Sequence, residues 1–144
     1  MTESYRVVVD YGQSLAQMIA VGAYDYAISD INASNFPLTG NGRQEVVVET
    51  VYYDGREMTT SEVLADLESK GMRPATLPEL LALGTSHPDL QYEFPIVALG
   101  SVWQHRDGGR FAPCLDRIGS ERGLSLSWYD GRWDDDCRVA AVRK

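Results

Sequence analysis

GLSLSWYDGRWDDDCRVAAVRK, residues 123–144, is the stretch on which the reading of this chain turns. Leu124, Leu126 and Trp128 alternate with Ser125, Ser127 and Tyr129. A period of two is the mark of a half-buried strand with one apolar face. Asp130-Gly131 is a turn signal. Cys137 to Arg143 then reads as a second strand. Large apolar residues are thus interleaved with small, polar or acidic ones. The apolar set anchors a frame, which puts Trp128, Val139 and Ala141 in the core. The polar set is left facing solvent. No catalytic motif lies here, so the stretch reads as a displayed binding surface and the rest of the chain as its support.

Working outward, Tyr5 to Tyr11 is a β-branched run ended by Gly12, a strand. Ser14 is placed to cap a helix reaching Val21, with Gly22 as its stop. Residues 23–41 are less periodic and read as a connection that packs aromatics inward. Gln44 to Tyr53 is the strongest strand signal. Thr59-Thr60-Ser61-Glu62 opens a helix to Lys70, and Glu62 suits its first turn. Thr76, Pro78 and Glu79 open another from Leu77 to about Thr85, with a leucine stripe as its buried face. Phe94 to Trp103 is almost wholly apolar and reads as one strand buried on both faces. Arg110 to Leu115 reads as a short strand that Pro113 confines to an edge or a bulge. Residues 104–109 and 116–122 read as polar loops. Strands and helices are segregated, which predicts a single α+β domain over residues 1–144 with two to three helices and a mixed or antiparallel sheet.

The bulk properties exclude several classes. The chain has 144 residues, with 13 basic and 21 acidic side chains and a net charge of −8. That balance speaks against nucleic acid or an anionic membrane as the main partner. No apolar run approaches the ~20 residues of a membrane span. The N-terminal MTESYRVVVDYG has no signal-peptide pattern, so a cytoplasmic location is the default expectation. Cys114 and Cys137 form neither a metal motif nor a disulfide framework.

Catalytic readings are thin. His87 sits beside a proline, and His105 lies in a Gly-rich loop. Neither is paired in sequence with a Ser or Cys nucleophile, so no catalytic residue is assigned. Asp130 and Asp134 to Asp136 lack the loop spacing of a calcium site, and they read as solvated loop charge with no metal or other cofactor. Trp128 and Trp133 read as framework. Arg138, set among apolar residues, calls for a buried partner such as an acidic side chain.

Arg122-Gly123-Leu124-x-Leu126-x-Trp128, followed by Trp133-x-x-x-Cys137-Arg138-Val139-Ala140, resembles the last strands of C-type-lectin-like folds, including the formylglycine-generating-enzyme-like branch. Together with RPATLPELLALG at 73–84 and FPIVALGSVW at 94–103, the chain is similar to the variable proteins of archaeal diversity-generating retroelements, the AvpA-like proteins. The resemblance implies a C-type-lectin-like scaffold that displays a diversified ligand-binding surface, over about residues 104–136. Adenine-directed mutagenesis of asparagine-type codons reaches Ser, Tyr, Asp, Arg, His, Gly, Cys and several others, but not Lys, Glu, Gln, Met or Trp. The implied display positions are Ser125, Ser127, Tyr129, Asp130, Arg132, Asp134, Asp135 and Asp136, with His105 and Arg106 in the preceding loop. All fall in the reachable set, whereas Gln104 does not. The implied partner is a variable protein ligand, and the acidic run favours one that is basic or amide-rich. The other branch would make the chain an enzyme or a structural protein, with only the Cys-Arg-Val-Ala ending to support it.

Overall fold

The final strand lies in the middle of the sheet. A computed structural model describes residues 2–54, 56–133 and 136–144. Its strands are β1 (Thr2–Asp10), β2 (Tyr26–Ala27), β3 (Arg43–Val51), β4 (Met58–Thr59), β5 (Met72–Pro74), β6 (Ile96–Val97), β7 (Trp103–Gln104), β8 (Arg110–Ile118), β9 (Glu121–Trp128), β10 (Arg132–Trp133) and β11 (Arg138–Arg143). Its helices are α1 (Leu15–Val21), α2 (Thr60–Ser69) and α3 (Leu77–Ser86). The main sheet runs β1-β3-β11-β6-β8-β9-β2. Pairing is antiparallel except for β11 with β6 and β2 with β9. The architecture is α+β, as the segregated elements predict.

Both sheet faces are covered. Val7, Val9, Val48, Ile96, Leu115, Leu124, Ala140 and Val142 pack with α1 and α3 in one cluster. Val51, Val97, Ala112, Val139, Ala141 and Trp133 pack with Val63 and Leu67 of α2 in the other. Val139 and Ala141 are buried, as expected. Trp128 is not: it is 64% exposed. The period of two places it on the same face as Leu124, but cover on that face fades from buried Leu124 through half-buried Leu126 to the end of β9.

One loop of the sequence reading, residues 116–122, is largely strand, whereas residues 105–109 are the expected loop. β8 and β9 pair from Phe111↔Trp128 to Ile118↔Glu121, leaving only Gly119 and Ser120 as the turn. Gly119 has φ +59°, the conformation that the first central position of such a tight hairpin demands. The Tyr92 hydroxyl donates to Ser120 O at 2.8 Å and pins the tip. Pro113 is therefore inside a nine-residue strand, not at an edge. Its carbonyl accepts from Ala98 N–H on the side where β6 stops and β7 has not begun. The missing N–H faces that gap, so no ladder bond is lost. The expected single strand over 94–103 is split for a related reason: Gly100 leaves the sheet to donate to Ala75 O at 2.8 Å.

The helix starts form as the sequence predicts, with one difference. Ser14 and Thr59 each exchange reciprocal bonds with the residue three on. At α3 the Glu79 carboxylate accepts from Thr76 N–H at 2.9 Å, while Leu77 N–H donates to Ser101 Oγ from another part of the chain. Glu79 also receives a two-pronged bond from Arg73, at 2.9 and 2.7 Å. Burial pushes the Glu79 carboxyl up, but the Arg73 fork and the Thr76 amide outweigh it and hold it below the ordinary range.

Arg122 ties the helices to the sheet. It is buried at the start of β9, and its guanidinium donates to the carbonyls of Gly22 (2.7 Å), Ala23 (3.3 Å), Gly84 (3.0 Å) and Pro88 (2.9 Å). It also lies over the Tyr24 ring at 4.8 Å. Next to it, Gly123 leaves room for Tyr26: a Cβ there would come within 1.9 Å of that ring. The Tyr26 hydroxyl then reaches Asp116 Oδ1 at 2.8 Å and closes β2 onto β9.

Arg122→Met takes the donor from the buried carbonyls of Gly22 and Gly84, and each unpaired buried group costs about 1–3 kcal/mol. Denaturant melts should show a loss of about 3–5 kcal/mol; a loss below about 1 kcal/mol would mean that water replaces the guanidinium freely. The Glu79 pair predicts an acid dependence. A depressed carboxyl contributes stability that is full above the unfolded value near 4.3 and is lost as pH falls through the folded one. Melting temperature should therefore fall from about pH 5 downward, and fall less steeply in Glu79→Gln.

Candidate functional site

One end of the sheet carries two sets of exposed and half-buried side chains, one on each face. On the first face Trp103 stands opposite Phe111, and Phe111 opposite Trp128, so three rings form a row across β7, β8 and β9. Their centroids are 6.1 and 6.3 Å apart. His105 packs edge-on against Trp103 at 5.2 Å, and its Nδ1 lies 3.0 Å from Asp107 Oδ1. The loop that follows β7 is closed by His105 N–H donating to Gly109 O at 2.7 Å. Hydrogen bonding to the Gly109 amide and to His105 holds Asp107 below the usual carboxylate range.

On the second face Arg110 lies over the Tyr129 ring at 4.9 Å. Its guanidinium grips both oxygens of Asp130, whose carboxyl this partner depresses. Tyr129 N–H donates to Arg110 O at 2.9 Å, and Tyr129 O accepts the Thr60 hydroxyl. The same hydroxyl accepts from Trp133 Nε1 at 2.9 Å. Trp133 is buried, so this network anchors the loop between β9 and β10 to the start of α2.

The implied display positions divide accordingly. Asp130, Arg132 and Arg106 are exposed, and His105 is half-buried. Ser127 is half-buried beside Cys114, Arg132 and Trp133 in a cavity of about 340 Å³. Ser125 is half-buried and committed: its hydroxyl donates to Asp116 Oδ2 at 2.6 Å. Tyr129 is half-buried and packs against the second core cluster. Asp136 is exposed and lines a separate cavity of about 500 Å³ with Phe94, Asp116 and Arg117. Asp134 and Asp135 lie outside the described residues. The chain thus brings Asp130, Arg132, Arg106 and His105 to one end, and it uses Ser125 and Tyr129 partly as structure.

The sequence reading missed the aromatic row and Arg110. The alternation in β9 does signal which face Trp128 takes; nothing in it signals where the covering helices stop. Arg138 also departs from expectation. Its guanidinium is sandwiched between the rings of Tyr52 (4.1 Å) and Phe94 (4.2 Å), with no acidic partner among the described residues. Cys114 is buried, and burial pushes its thiol up to about 12, which keeps it protonated and unreactive. His87 Nδ1 pairs with the Ser86 hydroxyl at 2.9 Å, and its ring packs against Tyr5. Among the described residues no group of three or more His, Cys, Asp or Glu could hold a metal ion, and no helix is long and apolar enough to cross a membrane.

Compared with protein-family models, with curated proteins and with solved structures, the chain gives no match in any of the three.

The two tryptophans should separate cleanly. Trp133→Ala removes a buried ring and a hydrogen bond, and should cost about 3–5 kcal/mol. Trp128→Ala trims an exposed ring and should cost less than about 1 kcal/mol. Thermal melts of the two variants side by side decide the matter; equal losses would place Trp128 in the core.

Proposed function

We propose that this chain is a ligand-binding display module rather than an enzyme, built on a C-type-lectin-like scaffold and diversified by a retroelement at its exposed sheet end. The observation that carries the reading is Trp128: a 64% exposed tryptophan standing in a row with Trp103 and Phe111, beside a polar rim. Isolated exposed apolar residues need no explanation, but a contiguous aromatic patch rimmed by polar groups marks an interaction site. Tryptophan and arginine dominate the energetics of protein interfaces. Here the rings are fixed on strands, while His105, Arg106 and Asp130 sit on loops at the rim and Arg132 is an exposed residue of the short strand β10.

The ligand is a protein. Trp is outside the set that adenine-directed mutagenesis reaches, so Trp103 and Trp128 are fixed anchors, and specificity comes from the rim. The acidic preference implied by the sequence is weaker than the Asp count suggests, because Arg110 neutralises Asp130. An enzyme of the formylglycine-generating-enzyme-like branch has only the Cys137 to Ala140 ending behind it, and Cys114 offers no thiolate.

The test is a library in which His105, Arg106, Asp130, Arg132 and Asp136 are exchanged among Ser, Tyr, Asp and Asn. Members should melt close to the parent, since exposed substitutions usually stay within about ±0.5 kcal/mol. Selection against a panel of folded proteins should yield binders, and Trp128→Ala should weaken these by about tenfold or more. Members as unstable as Trp133→Ala, or a library without binders, would sink the display reading. The encoding locus tests diversification separately: it should hold a reverse transcriptase and a near-copy repeat of the segment for residues 104–136.

A further inference from the structure

Among the described residues β1 is the edge of the main sheet and pairs only with β3, over nine uninterrupted residue pairs. Its other side is open. Tyr11 N–H donates to Gly42 O at 2.8 Å, one step beyond the last pair of the ladder. Antiparallel ladders alternate hydrogen-bonded and non-bonded pairs. The odd-numbered residues therefore turn their backbone groups toward β3, and Ser4, Arg6, Val8 and Asp10 turn theirs outward. Natural edges are blunted with charged side chains, Lys above all, with Pro, bulges or covering loops; the charges of this edge are Glu3, Arg6 and Asp10. This one has no Lys, no Pro and no bulge, and Val8, two residues before its end, is 53% exposed.

The edge is also its own complement. An antiparallel copy that pairs Val8 with Val8 sets each Arg6 against Asp10 of the other chain. Shifting the register by two residues one way sets Arg6 against Val8; two further sets Arg6 against Arg6. Within each chain Arg6 already contacts Glu45 at 2.6 Å, and Asp10 lies 3.7 Å from Arg43. Pairing about Val8 therefore builds an alternating row at each end: Glu45, Arg6, then Asp10 and Arg43 of the copy. On the opposite face Val7 comes beside Val9 of the copy. A groove of about 330 Å³ follows that side of the strand, walled by Met18, Val21, Leu81 and Ala82. A second strand covers it.

We infer that β1 is a self-association edge, joining two copies of this chain by antiparallel pairing centred on Val8. Main-chain bonds supply the affinity and the Arg6–Asp10 pairs fix the register. The interface is isologous, as a two-fold dimer requires, and each dimer carries two display ends.

Sedimentation of the whole chain at high micromolar concentration should give twice the 16.0 kDa chain mass. Val8→Pro deletes an outward N–H without touching the β3 ladder, so it should leave a folded monomer with a near-parental melt. Arg6→Asp and Asp10→Arg each set like charges together, and each alone should weaken the dimer by about tenfold or more. Mixed in equal amounts, these two variants should recover a heterodimer, since every cross-chain pair is then opposite in sign. That mixing experiment holds even if the proline variant fails to fold. A monomeric parent at every concentration overturns the proposal, including one whose edge takes up a synthetic peptide strand instead. So does a parental dimer that the charge variants leave unchanged.

Discussion

A buried guanidinium with no carboxylate on it organises this fold. Among the described residues the Arg122 guanidinium donates to backbone carbonyls alone: Gly22 and Ala23 at the end of α1, Gly84 in the last turn of α3, and Pro88 just beyond. Helix C-termini expose unpaired carbonyls and carry partial negative charge. Two such ends facing one cation solve each other's problem. The carbonyls gain donors, and the cation gains a diffuse counter-charge. Because Arg122 lies at the start of β9, both helices are registered against the strand that runs to Trp128. Ala23, left-handed at φ +52°, is the local cost of turning its carbonyl to this site.

Uneven helical cover follows from that anchoring. The tie is made at the Arg122 end of β9, so the first face is most deeply covered there, over Leu115 and Leu124. Toward Trp128 the strand outruns its cover, and the same side-chain alternation that builds a core builds a surface instead. On the second face the Thr60 hydroxyl, shared by Trp133 and Tyr129, holds the loop after β9 to α2. The Trp128 end of the sheet is therefore irregular in sequence but fixed at both margins.

The local signals in the sequence were good guides. Ser14 and Thr59 cap as their spacing predicts, the leucines of α3 are buried, and the alternation of β9 groups Leu124, Leu126 and Trp128 on one face, although it does not tell which face is covered. What was not legible is what depends on partners distant in sequence. Burial of Trp128 is decided by how far α1 and α3 extend over the sheet. The placement of Pro113 within a strand is decided by a gap between β6 and β7. Charged residues at 116–122 looked like a loop because Asp116 and Arg122 are buried or half-buried for bonds to Tyr26, Ser125 and four carbonyls, which composition cannot reveal. At the site, Asp130 and Arg132 were legible as exposed turn residues, while the Arg110–Asp130 grip and the Trp103–Phe111–Trp128 row exist only through cross-strand register.

The position of β11 has a consequence for how the chain is made. It sits between β3 and β6, so residues 138–143 join two halves of the sheet that have no other strand between them. Synthesis proceeds from the N-terminus at about 5–20 residues per second. Until it has passed residue 143 and the segment has left the ribosome, β1–β3 and β6–β8–β9 remain two ribbons with unpaired inner edges. The nascent chain cannot close its sheet piece by piece; it closes it once, late. Pairing Val51 with Val139 spans most of the sequence, and such non-local contacts form slowly. Until residues 138–143 emerge, both inner edges stay unpaired, and unpaired strand edges are where a partly made sheet aggregates.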